Sequence, residues 1–485
     1  MNNLHRKMSL PVLGVMAVMI VGLIFPDVIF FNRTLQPSNI LPHMGRPAEW
    51  QASSAILPVF NPEAIASDGF ADLNGSAWQS EPARYWIARN LKEGQSPWWN
   101  PYSASGTLGP EILVDIKFSL HTLISAWLFD ASPASFDFGL LITDCIGVFF
   151  ILLILQRIFK LNGLAAVAGA FVYLLNGFAL PNINTNVGQP YFLFPVLLFA
   201  VLFFIQKESI WRWTLLVFAH ALLLVACFMP VLVLVFLSVH LIGFSFFVSC
   251  RSNKESISVF LLSRYIVMVF SAFIAAVLLE GVLWFPVINS FFITDMVRDF
   301  DNRILPKPRS MENFLSVFTP RHFWENYSHV ARSEIYPGAG LEKNQSLVAH
   351  TGIVAAVLAS YAFCLKGKQW SLLVWLCLFL FLFPYARIFG FADFVSYLPI
   401  MRSIGNQYWG GMSAIALFVL VAFGIQNIRS GNTSSLPAVV VLLLQVIAFG
   451  LLYNKLGFSV TAPYRLYIYV AIFLFLVTGL SVLII

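Results

Sequence analysis

Charge is scarce in this chain. Asp, Glu, Lys and Arg make up 11% of its 485 residues, against about 25% in ordinary soluble domains. Hydrophobic residues make up 59%, including 48 phenylalanines. A chain so poor in charge cannot clothe a single soluble core of that size, so it reads as a multi-spanning membrane protein. Cysteine is missing from the polar segments: Cys145, Cys227, Cys250, Cys364 and Cys377 all fall in apolar runs or at their ends. That pattern suggests no disulfide framework and no thiolate metal site. No Walker motif, Gly-rich phosphate loop or dinucleotide fingerprint occurs, which argues against a cytoplasmic nucleotide-sugar site. The net charge of +6 does not point to nucleic acid, because the basic residues sit in short clusters between apolar runs, as the positive-inside rule would have them.

What the chain does have is apolar runs of spanning length. After the basic start MNNLHRKMS, the run from Leu10 to Phe31 is long enough to cross a bilayer and leads into Asn32-Arg33 without a small-residue cleavage pattern. It is read as an uncleaved first transmembrane helix with a cytoplasmic N-terminus. Further spans are expected near 138–156, 163–180, 190–206, 213–229, 231–249, 264–287, 346–365, 370–386, 407–426, 436–452 and 465–485, about twelve in all. With that parity Arg157 and Lys160, Lys207 and Arg212, Arg251 and Lys254, Lys366 and Lys368, and Arg429 fall inside, while NINTNVGQP (182–190), which carries no charge, falls outside. The chain is then a single integral membrane domain (1–485), with long outer loops at 32–137 and 288–345 and a shorter one from Arg387 to Asn406.

The stretch from Asp72 to His121 concentrates the polar chemistry. Asp72, Glu81, Glu111 and Asp115 lie here with a tryptophan pair and an Asn-Pro turn. Glu81-Pro82 marks a helix start, since Pro suits the first turn and a carboxylate there favours the helix dipole. That helix should run through ARYWIARNLKE and stop at Gly94. A second, from about Pro110 to Phe129, would put Glu111, Asp115, Ser119 and Thr122 on one arc and Ile112, Ile116, Leu120, Leu123 and Trp127 on the next. It would lie along the membrane surface with its acids turned to a cavity or water. SPWWNPYSASG between them is a turn, and its Trp98, Trp99 and Tyr102 suit a sugar ring, a polyprenyl chain or simply the membrane interface.

The order of Asp72, a short helix, G-x-S-P-W-W-N-P-Y (94–102), a Gly-containing segment and a surface helix resembles the bacterial YfhO-like membrane proteins. The likeness continues in L-L-E-G-V-L-W-F-P (278–286) followed by Arg298 and Arg303, in Y-P-G-A-G-L (336–341) and in L-P-I-M-R-S-I-G-N-Q (398–407). After Leu398-Pro399 the family carries more arginine, and here Arg402 stands alone. The resemblance implies a GT-C fold: an all-α polytopic bundle of about twelve transmembrane helices, with a large outer loop after the first helix carrying surface helices. It implies a glycosyltransferase of the bacterial cytoplasmic membrane. Such an enzyme moves a sugar from a polyprenyl-phosphate donor to an envelope glycan or lipid acceptor on the outer face.

In that class an acidic residue of the first outer loop acts as general base, removing the proton from the hydroxyl that attacks the anomeric carbon. Asp72 is the first candidate, then Glu81 and Asp115, although Asp72 before Leu-Asn-Gly also reads as a helix cap or turn residue. Glu111, Trp99, Asn100, Tyr102 and Glu280 are candidate substrate contacts. Arg298, Arg303 and Arg402 are candidates for the donor phosphate, which suits the guanidinium fork; Arg303 equally fits a partner of Asp299 or Asp301, and Arg402 an interfacial anchor. No cofactor is required by these residues, though the class admits a divalent ion, Mg or Mn. His322, Glu325 and His329 have a ligand-like spacing that an ordinary loop helix explains as well, and His220 and His240 read as core histidines. Two other readings share the pattern: a transporter or flippase of a lipid-linked substrate, and a non-catalytic envelope-assembly partner.

Overall fold

The computed structural model describes residues 8–31, 34–35, 81–96, 99–100, 107–108, 119–128, 133–185, 187–226, 228–251, 259–281, 285, 352–364, 370–383, 404, 406–431 and a few positions between 436 and 443. Over these residues the protein is a helical membrane protein. Helices α1 (Leu10–Ile24) and α2 (Pro26–Phe30) form the first apolar run. The expected single helix breaks at Phe25, because Pro26 cannot donate a helical hydrogen bond and pushes the residue before it out of the α region. Next come α3 (Glu81–Lys92) and α4 (Leu120–Leu128). A short antiparallel ribbon lies between them, β1 (Trp99–Asn100) pairing with β2 (Thr107–Leu108), so the expected turn is closed by strand pairing.

The bundle proper is made of α5 (Pro133–Leu153), α6 (Gly163–Leu174), α7 (Gln189–Gln206), α8 (Ile210–Leu224), α9 (Met229–Arg251), α10 (Val259–Leu279), α11 (Gly352–Ser360), α12 (Ser371–Leu382) and α13 (Gly410–Arg429). Among the described residues four helices are long and apolar enough to cross a bilayer alone: Ala134–Ile158, Gln189–Gln206, Met229–Cys250 and Gly410–Arg429. The other apolar helices are shorter, such as Gly163–Leu174. At 1.5 Å per residue that helix spans only about 18 Å, and the chain beyond it folds back in polar turns.

The core is centred on α13, buried from Gly410 through Gly424 and packed on α6, α9, α11 and α12. A helix apolar on all sides demands such a position. Small residues let the backbones approach. On α5, Gly139, Thr143 and Gly147 recur every four residues; a Cβ at Gly139 would press on the His121 backbone, and one at Gly147 on the Tyr173 hydroxyl. This is the close small-residue packing that membrane helices use where burial of apolar surface drives little. Outward faces carry Val15, Val18 and Leu23 on α1 and Ile266, Val267, Phe270 and Leu278 on α10, all exposed in the isolated chain.

The two ends of the bundle differ. At one, the Arg157 side chain donates to the Met8 carbonyl and Met8 N–H to Gln156, so the start of α1 lies at the far end of α5. Gln156 and Arg157 sit in a π-helical turn, Ile154–Ile158, that closes α5. Asn162 caps α6 and bonds Gln426 of α13 at the same end. The opposite end gathers Leu35, α3, α4, the start of α5 and the loop before α7.

Candidate functional site

The site is built where the first loop lands on that second end. α3 begins at Glu81 and closes in a Schellman motif: Gln95 N–H reaches Asn90 O at 2.7 Å, Gly94 N–H reaches Leu91 O at 3.2 Å, and Gly94 adopts φ +67°. Its inward face carries Arg84, Ile87, Ala88 and Leu91, with Arg84, Ile87 and Ala88 fully buried. A guanidinium on an apolar stripe must find acceptors. Arg84 Nη2 donates to both the backbone oxygen (2.6 Å) and Oδ1 (3.0 Å) of Asn184. Asn184 in turn donates from Nδ2 to the Leu35 carbonyl, and Leu35 N–H donates to Asp137 Oδ1 at 3.2 Å. One asparagine therefore ties the start of the first loop, α3 and the loop before α7 together, while Asp137 brings in α5.

Side-chain hydrogen bonds hold the described turns around the uncharged 182–190 segment. Asn176 accepts from Phe178 and Ala179 N–H and donates to the Tyr191 hydroxyl at 2.9 Å, and Thr185 donates to Asn182 O. Asparagine and threonine satisfy turn backbones with their own side chains. At Gly188 a Cβ would collide with the Asn182 carbonyl, so the turn needs glycine there.

α4 supplies the third side. Ser119 Oγ lies 2.9 Å from His121 Nδ1 and 3.1 Å from Thr122 Oγ1, and all three side chains are buried. Trp127 and Leu128, at the end of the helix, are exposed. Burial, and next the Arg84 charge, hold the His121 imidazole well below its ordinary pKa, with Gln189 pulling weakly the other way. That pull acts at poor geometry: neither Gln189 Nε2 nor Oε1 has a partner in hydrogen-bond range.

A pH dependence follows. A histidine kept neutral when folded but free to protonate when unfolded contributes stability above its unfolded pKa of about 6.5 that is lost as pH falls below it. The melting temperature of the purified protein should drop from pH 7 to pH 5, and His121→Asn should flatten that slope. Equal slopes in the two proteins would show that His121 does not titrate between the states.

Of the expected site residues, Asp72, Glu111, Asp115, Tyr102, Arg298, Arg303 and Arg402 lie outside the described residues, as do His322, Glu325 and His329. For Glu81, Trp99 and Asn100 the structure describes the backbone: Glu81 opens α3, and the other two form β1. Glu280 is buried just past the end of α10, its N–H bonded to Ala276 O at 3.0 Å. His220 and His240 face each other, Nε2 to Nε2 at 3.3 Å, with His220 Nδ1 2.9 Å from Leu216 O. Among the described residues no three His, Cys, Asp or Glu side chains gather as a divalent-ion site would need.

Arg84, His121, Asn184 and Gln189 were not singled out from the sequence. The available signal was an arginine in register with Ile87, Ala88 and Leu91 and an asparagine-rich loop with no charge to answer it. Fold and site together define a helical membrane protein with a buried polar layer, cationic at Arg84, roofed by helices of its first long loop. No family model, curated protein or solved structure matches the chain.

Proposed function

We propose that this protein is a GT-C-type glycosyltransferase of about twelve transmembrane helices, set in a bacterial cytoplasmic membrane with its N-terminus inside. It moves a sugar from a polyprenyl-phosphate donor to an envelope glycan or lipid. The observation that supports this reading is the docking of the first-loop helices on one end of the bundle through buried Arg84 and Asn184. Donor chemistry at a membrane surface asks for an ordered polar layer beside the hydrocarbon that holds the lipid tail, with a cation near the departing phosphate. Arg84 is that cation in the described part of the protein, and Arg298, Arg303 and Arg402 are further candidates. In the same reading Asp72, with Glu81 and Asp115 as alternates, takes the acceptor proton.

Asp72→Asn should abolish transfer while the protein still folds and inserts, because an amide of nearly the same shape cannot accept a proton. Near-normal turnover by the purified variant moves the base to Glu81 or Asp115. Mass spectrometry of envelope glycans from cells with and without the gene separates the competing readings. An enzyme leaves one sugar substituent missing; a flippase leaves a lipid-linked precursor accumulating.

A further inference from the structure

Asp144 is the acid that the transfer reading leaves unused. It lies seven residues beyond Asp137 on the same face of α5, about 10 Å deeper into the bundle. It is 1% exposed and its Oδ2 has no hydrogen-bond partner. An uncompensated carboxylate in a membrane interior is too costly to persist, and such residues commonly mark an ion or substrate path.

The register of α5 and α7 supplies its counterpart. A Cβ on Gly147 would press on the Tyr173 hydroxyl and lie 3.0 Å from the Phe192 carbonyl, and that hydroxyl donates to the same carbonyl at 2.9 Å. Gly147 of α5 and Phe192 of α7 are therefore level. Both helices start at the polar end of the bundle, so three residues back along each brings Asp144 level with Gln189. Gln189 is 0% exposed, and both ends of its amide are unpartnered. Two adjacent helices thus present, at one depth, a carboxylate oxygen and an amide oxygen that lack partners and do not bond to each other.

The geometry points to a binding site for a monovalent alkali cation, of sodium's charge and oxygen preference, held between Asp144 Oδ2 and Gln189 Oε1 with the Tyr173 hydroxyl oxygen close by. Charge selects the class. One carboxylate and neutral oxygens make a neutral site with a single positive charge, whereas a divalent ion would leave a net charge buried. Hard oxygen donors disfavour soft metals. Pro195 inside α7 has no N–H to give the Tyr191 carbonyl four residues earlier, so α7 carries a carbonyl without its helical donor two residues past Gln189. The site does not depend on the transfer reading and would serve a transporter equally.

The test is thermal unfolding of the purified protein in detergent, in sodium chloride against N-methylglucamine chloride at equal ionic strength. Sodium should raise the wild-type melting temperature in a saturable way. Asp144→Asn should melt higher than wild type without sodium, having lost the uncompensated charge, and should not respond to sodium. Gln189→Met, which keeps the side chain's shape, should raise the half-saturating sodium concentration about tenfold. A wild type indifferent to sodium, or an Asp144→Asn variant that responds as wild type does, overturns the proposal. So does labelling of Asp144 by dicyclohexylcarbodiimide at a rate that sodium leaves unchanged, since the occupant is then a proton.

Discussion

Replacing Gly424 by alanine should cripple the bundle. The added Cβ would overlap the Leu358 carbonyl oxygen and carbon, backbone atoms of α11 that cannot turn aside. Overpacking against movable side chains costs about 1–3 kcal/mol. Overlap with backbone forces α13 and α11 apart and should exceed that range. The loss spreads because Asn427, one turn on, donates to the Tyr361 and Ala362 carbonyls at 2.8 and 3.3 Å. Gly14 is the control: on α1 a Cβ there meets nothing within 4 Å, so Gly14→Ala should be neutral or slightly stabilising by helix propensity. Heating followed by size-exclusion chromatography measures both. A Gly424→Ala protein as stable as Gly14→Ala would mean that the α11–α13 contact is looser than described.

Arg84→Gln should undo the docking of the first loop. The charge-assisted bonds to Asn184 disappear and the asparagine's acceptors are left buried, for a destabilisation of about 3 kcal/mol. The effect should be local at first: limited proteolysis should cut the α3–α4 region in the variant under conditions that leave the wild type intact, while α5 to α13 stay protected. Asn184→Ala should produce a weaker form of the same pattern, because it removes the side-chain acceptor of Arg84 and the donor to the Leu35 carbonyl but leaves the backbone acceptor of Arg84 in place. If Arg84→Gln resists protease as wild type does, α3 is held by its Ile87 and Ala88 face alone and the polar layer does not anchor it.

Much of the frame was legible from the residues in order. The helix from Glu81 with its stop at Gly94 follows from an N-terminal acid-Pro pair and a C-terminal glycine. The α5, α7, α9 and α13 spans follow from apolar run length. Less was legible where chain geometry intervened. The first run breaks at Pro26, and the run expected over 163–180 ends as a helix at Leu174 because Asn176 bonds the following turn in place of the helix.

By itself, then, the sequence determined the class of molecule, a helical membrane protein, and where most of its described helices fall, because hydropathy, proline, glycine and capping act between residues a few positions apart. Only the tertiary structure decided which polar groups meet. Arg84 and Asn184 are 100 positions apart, Leu35 and Asp137 are 102, and Asn162 and Gln426 are 264. No local pattern encodes such pairs, since each exists only because packed helices bring their ends to one level. The same holds for Asp144 and Gln189. Each reads singly as an ordinary polar residue in or beside an apolar run, and only the shared register of α5 and α7 sets them at one depth.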